Sequence, residues 1–326
     1  MRAFVISDTS GELTLGVGAA ELAQRDETDV LVKVEYSSVN FKDAMVASSP
    51  SRVRRVETLV GGVDAAGTVR ASLDESLSPG DRVVVLGGSL GVARDGGFAQ
   101  YVYAPPRYNS VLPESLSTRD AMIVGTAGYT AMASVLALES HGLEAGAEVL
   151  VTGATGGVGS QALTYLALKG YRPVASTGSP EAAQWLTERG ATRVIGREDI
   201  SDRPERVLGS ELWDGAIDCV GGPTLASIVR SMRYGGAVAA SGLVASPELV
   251  TTLYPFITRG VALIGVDAVE AAPTTREHVW RALGALAHRV DFSAFVDREI
   301  SLEGLGDALE DIREGKTRGR ILVKVL

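Results

Sequence analysis

Residues 149–159 read Val-Leu-Val-Thr-Gly-Ala-Thr-Gly-Gly-Val-Gly, a buried-type β run that enters a glycine-rich turn, and an apolar helical pattern follows through Leu168. Strand, glycine turn and helix in that order are what holding a pyrophosphate requires. Gly156 permits close approach of backbone to phosphate, and Gly159 lets the helix pack tightly on the strand. The helix N-terminus adds free N–H groups and a positive dipole end. Ala154 replaces the first glycine of the usual pattern, so the motif is A-x-G-x-x-G. Glycine turns also follow strands for purely structural reasons, but this context favours dinucleotide binding.

Which dinucleotide is indicated by an absence. An NAD-type site carries Asp or Glu at the end of the second strand, about twenty residues on, to accept from the ribose 2′-hydroxyl. Here Pro173–Ser176 runs into Thr177-Gly178-Ser179 without an acid. Glu181 reads better as the dipole-compensating carboxylate of a helix capped by Ser179 and started by Pro180. A neutral, hydroxyl-rich turn suits a 2′-phosphate, with Arg193 or Arg197 as the nearby positive charge. NADP(H) is therefore expected over NAD(H), the alternative for both arginines being solvated surface charge.

A chain of 326 residues has room for two domains. Its N-terminal part shows short β-rich runs between turn residues: Val30–Tyr36, Thr68–Ala71, Arg82–Leu86 and Phe98–Tyr103. From Arg119 the pattern turns helical, over Ala121–Val124 and Tyr129–Leu138. Strands at Glu148–Thr152, Pro173–Ser176, Arg193–Ile195, Ala216–Val220, Ala237–Ser241 and Leu263–Val266 then alternate with helices. Alternation of this kind predicts a doubly wound parallel sheet in the α/β class. The expected division is a barrel-like β-rich domain at 1–120 and 269–326, and a dinucleotide-binding domain at 121–268. A helix over Leu305–Arg313 precedes the β-rich Arg320–Leu326, which returns to the first domain.

The formal net charge of −9 argues against nucleic-acid or membrane-surface partners. A single cysteine cannot form an internal disulfide, and the N-terminus turns polar at Ser7, so a cytoplasmic location is expected. Zinc needs clustered Cys and His ligands. The chain offers Cys219, in an apolar strand, with His141, His278 and His288, none of them within 1–120. No zinc site is expected from that set, and Cys219 reads as a small core residue.

Without a metal, reduction of an alkene conjugated to a carbonyl is easier than alcohol chemistry. Hydride adds to the β-carbon, charge spreads to the carbonyl oxygen, and a proton reaches the α-carbon. Asn40, Lys42 and Asp43, just after the strand at Val30–Tyr36, are the candidate catalytic residues, and Asn40 can both donate and accept. Their structural alternative has Asn40 capping a helix over Phe41–Val46 while Lys42 and Asp43 pair on its surface.

Several segments also resemble a known family: Ser37-Ser38-Val39-Asn40-Phe41-Lys42-Asp43, Gly125-Thr126-Ala127-Gly128-Tyr129-Thr130-Ala131-Met132, Val151–Gly159, Ala216-Ile217-Asp218-Cys219-Val220-Gly221, Tyr254-Pro255-Phe256-Ile257 and Gly319-Arg320-Ile321-Leu322-Val323-Lys324-Val325. Nearly end to end, the chain resembles a medium-chain dehydrogenase/reductase of the zinc-free quinone oxidoreductase branch, and most closely its acryloyl-CoA reductase subgroup. The resemblance implies a GroES-like catalytic domain, a Rossmann domain, NADPH in the cleft between them, and a homodimer. It places Phe41 at the nicotinamide end and Thr130 among the cofactor contacts. Thr155, Gly156, Gly157, Val158 and Gly159 fall at the pyrophosphate, and Thr177, Gly178, Ser179 and Arg197 around the 2′-phosphate. Leu243, Ile257, Ala268 and Arg320 would line the rest of the channel.

Two departures matter. Ser179 stands where the subgroup commonly has Arg, which puts the weight of NADPH preference on Arg197. A Trp- and His-containing loop of relatives is replaced by residues 87–97, Gly-Gly-Ser-Leu-Gly-Val-Ala-Arg-Asp-Gly-Gly, on the expected substrate side. Arg52, Arg54 and Arg55 form a local positive patch for the phosphates of coenzyme A, against the plain reading of a solvated face. Asp64, in Gly62-Val63-Asp64-Ala65-Ala66-Gly67, reads as part of a structural turn. Together these features predict an NADPH-dependent reductase of a short 2-enoyl-CoA such as acryloyl-CoA. The alternatives are a quinone reductase and a non-catalytic NADPH-binding sensor. The apolar strand Val261–Val266 would serve a dimer axis.

Overall fold

Two kinds of β-structure account for the two units of the chain. The computed structural model describes residues 1–23, 26–200 and 206–326. One unit comprises 1–127 and 268–326, the other 128–267. The first unit runs through β1 (Arg2–Thr9), β2 (Glu12–Ala19), β3 (Val30–Val39), the short helix α1 (Phe41–Val46), β4 (Thr58–Val60), β5 (Asp64–Ala71), β6 (Arg82–Leu86), β7 (Tyr101–Ala104) and β8 (Asn109–Val111). Helix α2 (Thr118–Ser140) leads to the second unit, which holds β9 (Glu148–Val151), α3 (Gly157–Leu168), β10 (Arg172–Ser176), α4 (Ala183–Glu188), β11 (Arg193–Ile195), β12 (Trp213–Asp218), α5 (Gly222–Arg230), β13 (Met232–Ala240), α6 (Tyr254–Arg259) and β14 (Ala262–Gly265). Then α7 (Pro273–Leu286), β15 (Val296–Ile300), α8 (Leu305–Arg313) and β16 (Arg320–Lys324) complete the first unit.

In the first unit a seven-stranded sheet has the order β15-β16-β3-β5-β6-β8, with β7 also pairing β3, beside a three-stranded sheet β2-β1-β4. Period-two alternation drives this: Val30, Val32 and Val34 of β3 are buried while Leu31, Lys33 and Glu35 between them are half-buried. Those valines pack with Val69, Val83, Val85 and Val102. A second core joins Phe4, Ile6, Val39, Phe98, Leu305, Leu309, Ile321 and Val323. Strand β3 continues past Tyr36 because β16 pairs with its end, Val323 opposite Ser37 and Ile321 opposite Val39.

Among the described residues the second unit has a six-stranded sheet, all parallel, in the order β11-β10-β9-β12-β13-β14. Counted from β9 this is 3-2-1-4-5-6, the doubly wound order, whose direction reverses between β9 and β12. The glycine turn following β9 therefore stands at the topological switch point, where such sheets bind ligands.

Some local expectations are corrected. Asp64–Gly67 belongs to β5 and is not a turn, each residue pairing with β6. Gly67 is needed there because a Cβ would come within 1.9 Å of the Lys33 carbonyl oxygen. The two expected helical segments are both present within α2, separated by a kink at Gly125, which has the non-helical angles φ 52° and ψ −162°. By length and composition α2 could cross a membrane, but 78% of its apolar window is buried within the protein. Expected at 120/121, the boundary between units falls at 127/128, because the first turns of α2 and Thr126 bond to groups of the first unit. Its second crossing is at 267/268 rather than 268/269.

Two glycines of the β9–α3 turn differ in what they do. A Cβ on Gly159 would lie 2.5 Å from the Gly153 carbonyl oxygen and 2.7 Å from Ala154 Cα, whereas one on Gly156 would meet only the Gly153 carbonyl oxygen, at 3.3 Å. Gly159→Ala is thus expected to destabilise the fold by about 1–3 kcal/mol through overpacking, and Gly156→Ala by far less. Thermal unfolding of the two variants measures the contrast; equal losses would contradict it.

Candidate functional site

In the first unit the chemistry gathers around Asp64, a fully buried carboxylate at the start of β5. Ser38 Oγ donates to Oδ2 at 2.7 Å, Asn40 Nδ2 at 2.8 Å and the Thr126 N–H at 2.9 Å. Thr126 Oγ1 donates to Oδ1 at 2.5 Å. Arg320 Nη2 stands 3.7 Å from Oδ2 and donates to Ser38 Oγ at 2.7 Å. Its Nη1 donates to Asn40 Oδ1 at 3.1 Å, and its Nε to the Ile123 carbonyl at 3.1 Å. A buried charge persists only when paired and hydrogen-bonded, and this one is both. The break at Gly125 has its cause here: a Cβ would fall 2.6 Å from both Asp64 Oδ2 and Arg320 Nη2.

Asn40 is the N-cap of α1, which spans Phe41–Val46 as its sequence predicts. Its amide points inward, Nδ2 reaching Asp64 and, at 3.3 Å, the Ser38 carbonyl, while Oδ1 accepts from Arg320. Both amide protons are therefore engaged by the protein, and the residue is only 8% exposed. Asn40 positions the chain in this arrangement, whereas a substrate carbonyl would need a free donor. Asp43 does not pair with Lys42 on the surface. It is buried, with Oδ2 accepting from the Asn40 N–H at 2.8 Å and Oδ1 from the Val63 N–H at 2.9 Å. Of the three expected catalytic groups only Lys42 has an uncommitted polar head among the described residues. Phe41 is 41% exposed on the first turn of α1.

The arginine patch is smaller than expected. Arg54 lies inside the fold, with Nη1 donating to the Val46 carbonyl at 2.6 Å and Nη2 paired with Asp8. Arg52 and Arg55 remain exposed, and the Arg55 N–H donates to the Val92 carbonyl at 3.0 Å. That bond ties the patch to the 87–97 loop. The loop is fastened in turn by Arg94 to Asp29 at 2.5 Å and by the Val60 N–H to Asp95 at 2.9 Å. Its paired glycines lie flat on the neighbouring chain, since a Cβ on Gly97 would be 2.0 Å from the Asp64 carbonyl oxygen. Ala268 is buried at the other end of the loop, where the Gly88 N–H donates to the adjacent Val269 carbonyl at 3.0 Å.

In the second unit, Thr155, Gly156, Gly157 and Val158 are partly exposed at the start of α3, and Gly159 is buried. Beyond β10, the Ser179 N–H donates to Thr177 Oγ1 at 3.0 Å. Arg197 lies over the same turn, for a Cβ on Gly178 would be 2.5 Å from its guanidinium carbon. Asp199 accepts from the Gly196 N–H at 3.1 Å, and Arg197 keeps no acidic partner among the described residues. Arg193, the other candidate, instead pairs with Glu148 at 2.6 Å. Thr130 is buried on α2, while Leu243 and Ile257 are 59% and 75% exposed. These groups fit a dinucleotide: the turn is open at Gly156, the helix start is accessible, and a cation lies over the turn that carries Thr177 and Ser179.

Cys219 is half-buried, its thiol pushed up to about 12 by burial and by the charge of Asp218. His278 and His288 fall in the 268–326 part of the first unit and lie on its surface, as His141 does on the other. Among the described residues no three His, Cys, Asp or Glu side chains cluster so as to hold a metal ion.

Sequence reasoning missed Asp64, Ser38 and Thr126, and took Arg320 for a channel residue when it is buried in this cluster. The available signal was a carboxylate at one end of a run of small apolar residues, matched by an arginine opening another apolar strand.

Burial, and then the charge of Asp64, raise the Asp43 carboxyl to about 7, against the backbone N–H groups of Asn40 and Val63, which favour its ionised form. The folded state therefore holds this proton more tightly than the unfolded one. The associated stability is full below the unfolded value of 3.8 and is lost as pH rises through about 7. Between those limits wild-type Tm is expected to fall with pH relative to Asp43→Asn. Parallel Tm profiles for the two proteins would refute the assignment.

Comparison with known proteins identifies the family. The family model for the alcohol dehydrogenase GroES-like domain matches residues 26–114, and that for zinc-binding dehydrogenase matches 157–286. The acrylyl-CoA reductase AcuI of Ruegeria pomeroyi is 42% identical over 98% of this chain and 96% of its own. YhfP of Bacillus subtilis, provisionally named a quinone oxidoreductase, is 45% identical over 91% of this chain and 90% of its own. Its crystal structure with NAD bound covers 99% of each chain at 41% identity with a TM-score of 0.95. YhdH of Escherichia coli with bound NADPH has a TM-score of 0.94 at 38% identity, over 99% of this chain and 100% of its own. The chain belongs to the medium-chain dehydrogenase/reductase superfamily, in its zinc-free quinone oxidoreductase branch.

Proposed function

We propose that this protein reduces the C=C bond of a short 2-enoyl-CoA thioester, acryloyl-CoA being the leading substrate. It is an NADP-dependent oxidoreductase, and the observation that carries this is the Arg197 guanidinium laid over Gly178 between Thr177 and Ser179. A carboxylate there would repel a 2′-phosphate; a guanidinium and two hydroxyls attract one. Thr155, Gly156, Gly157 and Val158 at the start of α3 would hold the pyrophosphate through backbone N–H groups. Bound NADPH supplies the hydride.

The remaining work is positioning. Asn40, Asp43 and the Asp64–Arg320 pair hold the entry to α1, and so fix where Phe41 and Lys42 present themselves. Conjugated alkene reduction asks for orientation and for donors at the carbonyl oxygen, with no Lewis acid needed. Arg52 and Arg55 stand exposed beside the 87–97 loop and suit the phosphates of coenzyme A. The AcuI likeness supports the thioester, while YhfP supports a quinone as the second reading. β14 forms one edge of its sheet with Leu263 38% exposed, and a homodimer would cover that edge.

NADPH oxidation is expected with acryloyl-CoA and crotonyl-CoA and not with a simple quinone; turnover of the quinone alone would move the second reading forward. No turnover with any of them, despite NADPH binding, would point to a sensor. Arg197→Ala removes a charge-assisted contact worth about 1.5–3 kcal/mol, raising the KM for NADPH roughly 10- to 100-fold while sparing NADH. Equal losses with both cofactors would reject the role of Arg197.

A further inference from the structure

Asp218 closes β12 with no exposed surface, and its carboxylate is used entirely inward. Oδ1 accepts from Thr152 Oγ1 at 2.6 Å, and Oδ2 from the Gly221 N–H at 2.8 Å. Thr152 Oγ1 itself accepts from the Cys219 N–H at 3.1 Å. Thr152 directly follows β9, so this reciprocal pair laces together the carboxyl ends of the two strands at the topological switch point. The main chain of Asp218 extends the lacing to β13, its carbonyl accepting from the Ser241 N–H at 2.9 Å.

What rests on this knot is the glycine turn. Gly153 sits against Cys219 and Val220, to which a Cβ would come within 3.4 and 3.7 Å. Gly242 lies so close to Cys219 that a Cβ would be 2.1 Å from its carbonyl oxygen, which sets the direction in which Leu243 leaves. Freed from Asp218, the Val220–Gly221 backbone and the start of the phosphate turn lose their common support. The carboxylate follows the fourth strand of the doubly wound order, not the second, so it is not placed to meet a ribose.

The geometry points to Asp218, acting through Thr152, as a positioning residue that holds the Gly153–Gly159 turn in the shape that binds NADPH. This rests on the NADPH reading above. Asn at 218 cannot accept from both Thr152 and Gly221 with equal strength, and lowers the charge on the bonds that remain. Fluorescence titration of the full-length protein with NADPH is the test, with thermal unfolding in parallel. Asp218→Asn is expected to raise the Kd about ten- to a hundredfold, with kcat at saturating NADPH changing much less. Thr152→Val, which keeps the shape but removes the hydroxyl, is expected to raise Kd in the same direction, and Thr152→Ser to restore it.

A lowered Tm with wild-type Kd in Asp218→Asn would reduce the knot to a stability element and overturn the inference. Should Asp218→Asn fail to fold, the Thr152 pair decides: identical Kd values for Thr152→Val and Thr152→Ser overturn it equally. Absence of NADPH binding by the wild-type protein would remove the cofactor reading itself, a result distinguishable from either of these.

Discussion

A single carboxylate taken out of water organises the first unit. Asp64 can stay charged in the core only if donors surround it, and the chain delivers them from widely separated places: Ser38 at the end of β3, Asn40 at the cap of α1, Thr126 after the break in α2, and Arg320 at the start of β16. Leaving one partner of such a cluster unpaired costs several kcal/mol, so each element is held to its place by the same requirement. The sharp φ of Gly125, the return of the last strand to β3, and the inward turn of the Asn40 amide are three consequences of one buried charge. Asp43 adds a second carboxylate nearby, and its raised affinity for a proton shows how little further negative charge the region accepts.

The second unit depends instead on the closeness of backbone to backbone. Gly159 has no room for a side chain because α3 presses on the turn that follows β9. Gly156 has room, and under the proposed function its bare backbone would meet the pyrophosphate. That division gives one glycine of the motif to folding and leaves the other open. On the proposed reading cofactor choice lies a strand away, where Arg197 and the Thr177-Gly178-Ser179 turn stand in place of the acid that would hold a ribose. YhdH with NADPH and YhfP with NAD share this fold closely, so discrimination between cofactors belongs to such side chains and not to the architecture.

Much of this was legible from local pattern. The strand–turn–helix of residues 149–168, the bounds of α1 and α8, and the alternation that builds a parallel sheet all follow from neighbours in the chain, where periodicity and capping act. Partnerships over long separations were not legible. Arg320 and Asn40 are 280 residues apart, and nothing local to either marks the other. Arg54 reads as one of three surface charges, yet its guanidinium is taken by Asp8 and by the end of α1, which only the tertiary fold brings together. Asp64 looked like a turn residue because small residues and glycines surround it. Those small residues are in fact what lets the 87–97 loop lie against the Gly62–Asp64 main chain.

Under the proposed function the protein is a reductase that works by orientation: a buried polar cluster holds the entry to α1 in the first unit, a glycine turn and an arginine of the second would fix NADPH, and a conjugated thioester would receive the hydride. The most direct measurement is isotopic. Crotonyl-CoA would be reduced with NADPH carrying deuterium at the transferable C4 position, in ordinary water, and the product analysed by mass spectrometry and NMR. The account predicts one deuterium at the β-carbon and a solvent proton at the α-carbon. Product lacking deuterium, or carrying it at the α-carbon, would contradict it.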